Sequence, residues 1–408
     1  MNTKIRLTLM NFLQYAVWGA WLISLGAYLG NTLKFDGLQI GSFFATMGIA
    51  SLFMPAVMGI IADRWIPAQR LLGLCHLFAA GFITLAATRT DYNSLYTLVL
   101  LSVMFYMPTI ALSNSVAYNA LEKAGLDTVT HFPPIRVWGT VGFICAMWVV
   151  DLGKMGLSAT QLYFSATLGL ILGLYSFTLP NCPINRSGGG KSIVDLLGLR
   201  VVALFKQRKM AIFFIFSMLL GMSLQITNAF ADGYIKSFGD TGIHGAKYLG
   251  TFGVEHSTIL ISLSQISETL CILLIPFFLK RFGIKRVMLI AMFAWVLRFA
   301  LLGAGNPGPG VWMFILSMIV YGVAFDFFNI SGSLFVEKET SAAIRSSAQG
   351  VFMIMTNGLG ALIGSYLAGW VVNHYGWPLS WYLFAGFSLV VAIVFAVIFK
   401  YKHEPNRI

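Results

Sequence analysis

Twelve nearly unbroken apolar runs of about twenty residues recur along this chain of 408, and no soluble fold has a core that could absorb them. They lie at roughly 7–29, 40–62, 71–88, 95–118, 135–151, 159–180, 210–232, 257–279, 287–304, 311–333, 348–373 and 379–399. A hydrocarbon layer of ~30 Å is crossed by about 20 residues of helix at ~1.5 Å rise per residue. A membrane barrel would instead need strands of ~10 residues that alternate apolar and polar, and these runs do not alternate. Without water, only a helix satisfies its own backbone within one run. The predicted class is an all-α membrane protein with twelve transmembrane helices. Residues 1–30 have a basic start, but their apolar stretch is too long for a leader and lacks a clear small-residue cleavage site, so a retained first helix is expected.

The formal charge of +12 would suggest nucleic acid in a soluble protein, but the chain is 58% hydrophobic and only 10% charged, and its cations sort by side. Twenty of the 27 Lys and Arg fall in segments that face one side when the N-terminus is inside, five fall on the other, and Arg136 and Arg298 lie in or at the edge of spans. Positive-inside bias predicts both termini in the cytoplasm. No nucleic-acid partner is expected. Cys75, Cys145, Cys182 and Cys271 are scattered without metal-ligand spacing and read as packing residues. The GGGKS at 188–192 lacks the first glycine of a phosphate loop and a strand before it. No catalytic motif, cofactor or metal is expected.

The stretch 181–209 combines proline, a glycine triplet, six basic residues and an amphipathic segment near 192–205, which reads as a cytoplasmic linker between six-span bundles at 1–180 and 210–408. Two traces of duplication support the division. The basic turn of GIIADRWIPAQR (59–70) returns in PFFLKRFGIKR (276–286), and the pair Tyr106/Asn114 returns as Tyr321/Asn329 at an offset of 215.

Three potential charges interrupt the apolar runs: Asp326, Glu268 and Arg136. An intramembrane ionisable group is by default a functional-site hypothesis. Arg136, Thr140 and Phe143 stand at i, i+4 and i+7, a stripe of cation, hydroxyl and aromatic face that would suit a neutral polyol. The plainer alternative is that Arg136 snorkels to the interface after a break at Pro133-Pro134. Gln225 and Asn228 at i, i+3 can fork onto hydroxyl pairs or bond neighbouring helices. Gln265 and Glu268 repeat that spacing, and Glu268 could instead be paired permanently with Arg298 or Arg136. Tyr321 and Phe325 are one turn apart beside Asp326 and can clamp a flat base or simply pack. Asn11, Gln14, Tyr106, Asn114 and Asn357 are weaker candidates for lining a pathway. Trp18, Trp21 and His76 read as packing or locally satisfied residues.

The GxxxDR turn at 59–64, between two six-span halves, is similar to the major facilitator superfamily. The strings FPPIRVWGTVGF (132–143), LQITN (224–228), SQISET (264–269), MIVYGVAFDFFNISGSLFVEKE (318–339) and RSSAQG (345–350) resemble the bacterial nucleoside:proton symporters, the nucleoside and xanthosine permeases. The likeness covers nearly the whole chain; HYGWPLS before the last span and the tail after Lys400 look shorter than in relatives.

The resemblance implies a major facilitator fold of two pseudo-symmetric bundles around a central cavity in the bacterial inner membrane, functional as a monomer. It further implies that Arg136, Gln225, Asn228, Gln265 and Glu268 bind ribose hydroxyls, with Thr140 on the Arg136 stripe. Phe143, Tyr321 and Phe325 would hold the base, and Asp326, with Glu268, would carry the proton. A carboxylate out of water can hold a proton that an exposed one releases. A sugar or polyol carrier would use the same amides and aromatics, and a multidrug exporter fits less well because the site mixes one cation with neutral hydrogen-bonding groups.

Overall fold

The computed structural model describes residues 2–184, 204–241, 246–341 and 344–401. Among these the secondary structure is helical, without strands. In chain order the main helices are α1 (Thr3–Gly19), α2 (Gly37–Arg64), α3 (Ala68–Ala87), α4 (Tyr92–Lys123), α5 (Thr128–Leu152), α6 (Thr160–Ser176) and α7 (Arg208–Ser237). They continue as α8 (Ser257–Ala304), α9 (Val311–Glu339), α10 (Arg345–Met353), α11 (Ala361–Tyr375) and α12 (Leu379–Ile398). Nine stretches among the described residues are long and apolar enough to cross a membrane. Much of the expected linker, including its GGGKS and most of its amphipathic segment, falls at 185–203, outside the described residues.

Local chemistry sets the helix ends. Asp36 and Gln39 form a reciprocal capping box at the start of α2: Gln39 N–H donates to Asp36 Oδ1 at 2.8 Å, and Asp36 N–H to Gln39 Oε1 at 3.1 Å. Asp91 and Asp127 cap α4 and α5 by accepting from Ser94 N–H (2.9 Å) and Thr130 N–H (2.8 Å). α8 is not one rod, because Gly283 has φ 75° and ψ 166°, a left-handed conformation that favours glycine. The two arms lie side by side, with Arg298 of the second reaching Ser264 Oγ of the first at 3.4 Å. Between α10 and α11 the chain widens into a π-helical turn, Ile354–Gly360. The expected break at Pro133-Pro134 does not occur; α5 runs through both prolines from Thr128. Both prolines are exposed and lie within the first two turns of α5, near its N-terminus, where few intrahelical bonds are lost.

The chain divides into two compact units, Met1–Phe35 with Thr46–Leu197, and Asp36–Ala45 with Gly198–Ile408. In unit 1, α1 lies against α5 at backbone distance: a Cβ at Gly19 would meet the Phe143 carbonyl, and one at Gly142 the Phe12 carbonyl. In unit 2, α9 comes equally close to the first arm of α8, where a Cβ at Gly322 would lie 2.6 Å from the Ser267 carbonyl oxygen. Large apolar side chains stay exposed on α8 (Leu270, Leu273, Phe277) and α12 (Val390, Val397), a surface that suits lipid and would be costly in water.

Candidate functional site

In unit 1 the close packing of α1 and α5 places two aromatic residues of α1 against the predicted stripe. The Arg136 guanidinium carbon lies 3.9 Å from the Tyr15 ring centroid, a cation–π contact that ties the half-buried side chain to α1. Phe143 is buried and meets Trp18 edge-on, with centroids 6.3 Å apart at 85°, and Thr140 is half-buried one turn before it. Trp18, read from sequence as packing, also touches Tyr106 at 5.8 Å, and its indole nitrogen is buried without a hydrogen-bond partner among the described residues.

Behind this face lies a neutral buried network. His76 Nε2 meets Gln14 Oε1 at 2.8 Å, Gln14 Nε2 donates to Thr109 Oγ1 at 2.7 Å, and the Tyr106 hydroxyl donates to the Gln14 carbonyl at 2.8 Å. His76 is only partly satisfied, since its Nδ1 is buried without a partner among the described residues.

In unit 2 the predicted residues of α8 and α9 share a charged setting, and those of α7 lie on a helix of the same unit. On α9 the rings of Tyr321 and Phe325 are stacked, with centroids 5.6 Å apart and planes within 4°. Asp326 is 5% exposed, and its Oδ2 has no hydrogen-bond partner among the described residues. Glu268, half-buried on α8, is close enough for its charge to act on both Asp326 and Tyr321, and Gln265 sits beside Tyr321. On α7, Gln225 is buried with its Oε1 unpartnered among the described residues, and Asn228 is half-buried one turn on.

A small cleft opens against Phe325, lined also by Leu224, Trp295, Asn329 and Asn357. Sequence pointed weakly to Asn357 and not at all to Trp295. The signal available for Asn357 was an amide inside an apolar run; the π-helical turn that presents it is not visible without coordinates.

The alternative of a permanent carboxylate–arginine pair is corrected. Among the described residues neither Arg136 nor Arg298 forms an ion pair; Arg298 Nη1 donates to the Ser317 carbonyl at 2.7 Å, and its guanidinium lies over the Tyr321 ring at 4.6 Å. A further buried carboxylate, Asp232, lies near the end of α7 without a signal in the sequence that sets it apart. It accepts from Lys236 Nζ at 2.7 Å, Ser257 Oγ at 2.5 Å and Thr258 Oγ1 at 3.2 Å.

Buried aromatic faces, amides with unfilled acceptors and a carboxylate beside another carboxylate can hold an uncharged polar ring compound and exchange a proton. Comparison with known proteins agrees with that chemistry. Residues 1–404 match the family described as "Nucleoside H+ symporter". The chain is 50% identical to the nucleoside permease NupG of Escherichia coli (strain K12) over 410 residues, covering 99% of this chain and 97% of that protein. It is 49% identical to the xanthosine permease of the same organism over 415 residues, covering 100% and 98%. A crystal structure of the nucleoside transporter NupG superimposes with a TM-score of 0.91 at 50% identity, covering 98% of this chain and 100% of that one, and a mutant form gives 0.94 at the same coverage. The chain belongs to the nucleoside H+ symporter family.

Proposed function

We propose that this protein takes nucleosides into the cell together with protons by alternating access in a bacterial inner membrane. The observation that carries the coupling is Asp326: a carboxylate 5% exposed, with one oxygen unpartnered among the described residues, under the influence of Glu268. Two ionised carboxylates so close in a dry setting repel, and one proton shared between them removes the repulsion. A carrier built this way closes readily when protonated and resets when the proton leaves on the less acidic side. Each 100 mV contributes ~2.3 kcal/mol per proton.

In unit 2 the base would stack on Tyr321 and Phe325, with Gln225, Asn228, Gln265 and Glu268 bonding the ribose; the open acceptor of Gln225 supports a ligand that supplies the missing hydrogen bond. In unit 1 Phe143 offers a stacking face, and Arg136 and Thr140 offer hydrogen-bonding groups to hydroxyls.

The proposed topology is twelve spans in two six-helix bundles, 1–180 and 210–408, joined by a cytoplasmic linker at 181–209, with both termini inside and the monomer as the working unit. The nine long apolar stretches support it once the two 17-residue helices α1 and α6 are admitted and the 48-residue α8 is counted as two arms. Cytoplasmic termini rest on the lysine and arginine distribution. Purified protein in proteoliposomes tests the function: labelled uridine or adenosine should accumulate against its gradient only when an inward proton gradient is imposed. Entry indifferent to that gradient would defeat symport, and ribose competing as well as uridine would favour a sugar carrier.

A further inference from the structure

Arg298, on the second arm of α8, is 2% exposed, where a guanidinium has no water. A buried cation ordinarily has a carboxylate beside it, because leaving the charge alone is costly. Arg298 has no such ion pair among the described residues. Its Nη1 donates to the Ser317 carbonyl at 2.7 Å and more weakly to Ser264 Oγ at 3.4 Å, and the Ser317 hydroxyl donates back to the Arg298 carbonyl at 3.0 Å. These bonds hold the guanidinium 4.6 Å from the centroid of Tyr321 and 6.0 Å from that of Trp295. Trp295 meets the same tyrosine edge-on at 6.0 Å and 88°, and Tyr321 stacks in parallel on Phe325.

The charge therefore meets a backbone carbonyl and two aromatic rings, Tyr321 the nearer, rather than a carboxylate. We propose that Arg298 is a positioning residue for the base platform: its desolvated cation, with Trp295, locks Tyr321 in the orientation that lies parallel to Phe325, and so sets nucleoside affinity without touching the substrate. This rests on the nucleoside reading of the same site. Without the cation the ring has rotational freedom that binding must remove, and a preorganised surface binds more tightly than one ordered on contact. A desolvated cation–π contact corresponds to about 30-fold in an equilibrium constant.

A double-mutant cycle tests it, with uridine and adenosine binding measured on purified full-length protein. Arg298→Met should weaken binding about 10- to 30-fold, while the counterflow rate at saturating nucleoside stays within about threefold of wild type. Arg298→Lys, which keeps the charge, should recover much of the loss. In a Tyr321→Ala background Arg298→Met should cost less than about twofold more, because the arginine acts through the ring. Full multiplication of the two effects, or unchanged affinity with only lowered thermal stability, would overturn the proposal in favour of a mere packing anchor. If Arg298→Met does not assemble, Arg298→Lys carries the cycle: a smaller loss that disappears when Tyr321 is absent supports the role, and one that persists sinks it. Wild-type protein that binds no nucleoside would remove the substrate reading itself, and this role with it.

Discussion

Asp232 and Asp326 are both buried in the helices of unit 2, at 1% and 5% exposure, and depth does not separate them. Their partners do. Asp232 accepts from an ammonium and two hydroxyls, so both of its oxygens are used, and it ties α7 to the start of α8. Asp326 has an oxygen with no partner among the described residues and another carboxylate for a neighbour. A carboxylate can be kept out of water by surrounding it with permanent donors, which fixes it as an anion and an anchor, or by letting it take a proton. Only the second arrangement can cycle, so the transport role proposed for Asp326 rests on its unfilled bonding capacity rather than on its burial.

The largest effect expected from breaking this contrast is at the anchor. Asp232→Ala leaves the largely buried Lys236 without its anion and the Ser257 and Thr258 hydroxyls without their acceptor, a change that costs about 3–5 kcal/mol. The thermal unfolding midpoint in detergent should fall clearly, while the protons moved per nucleoside stay as in wild type. Loss of coupling with stability intact would erase the distinction. Asp326→Asn should do the reverse. At 100 mV one coupled proton supports about 50-fold accumulation, from ~2.3 kcal/mol, and this variant should bring the ratio to about one while retaining counterflow. Its unfolding midpoint should equal or exceed that of wild type, because the cost of burying a charge is gone. A variant that still accumulates fully would place the proton elsewhere.

Asp326 was legible in the sequence because it stands in the middle of an apolar run, where an ionisable group has no routine explanation. Asp232 was not, since it lies at a span end four residues before Lys236 and looks like an interfacial pair. The suggested repeat pairs Tyr106 with Tyr321, and both are buried with aromatic neighbours. Their settings diverge: Tyr106 faces Trp18 and the neutral network of His76 and Gln14, whereas Tyr321 faces Arg298 and the carboxylates. Sequence offset carries no information about that difference, because it depends on which helices approach. The Trp18 contact with Phe143 was hidden for the same reason; it exists because Gly19 and Gly142 let α1 and α5 close on each other. The proline pair suggests a break from sequence alone, whereas α5 begins at Thr128 and carries both prolines in its first two turns.

Phe325, the residue before Asp326, sharpens the contrast on a finer scale. It is half-buried and exposes a stacking face, and removing one such face costs about 1–2 kcal/mol of base binding, or roughly 5- to 30-fold. Phe325→Ala should weaken uridine and adenosine affinity by that factor and leave the accumulation ratio at saturation unchanged. Phe143→Ala should also weaken binding but lower the unfolding midpoint more, since Phe143 is buried against Trp18. A Phe325→Ala protein with normal affinity would remove the base clamp, and one that loses coupling would mean that Asp326 does not act alone on α9.

Asp91 provides a third kind of carboxylate and the smallest expected effect. It sits in water at the start of α4, where hydrogen bonds from the Ser94 side chain and backbone N–H hold its carboxyl below the ordinary aspartate value. A depressed folded-state value means that the unfolded chain binds the proton more readily, so the stabilisation is full above the usual aspartate range near ~3.9 and is lost as pH falls through the lower folded value. Asp91→Ala should therefore lower the unfolding midpoint slightly at neutral pH, with the gap from wild type closing in acid and transport untouched throughout. Accumulation by Asp91→Ala and by the wild type should stay equal at every pH, because Asp91 is exposed and takes no part in the proposed proton site. If the stability gap at Asp91 and the accumulation ratio changed over the same acid range, the pH dependence of transport would belong to ordinary surface carboxylates, and the contrast between Asp232 and Asp326 would lose its functional meaning.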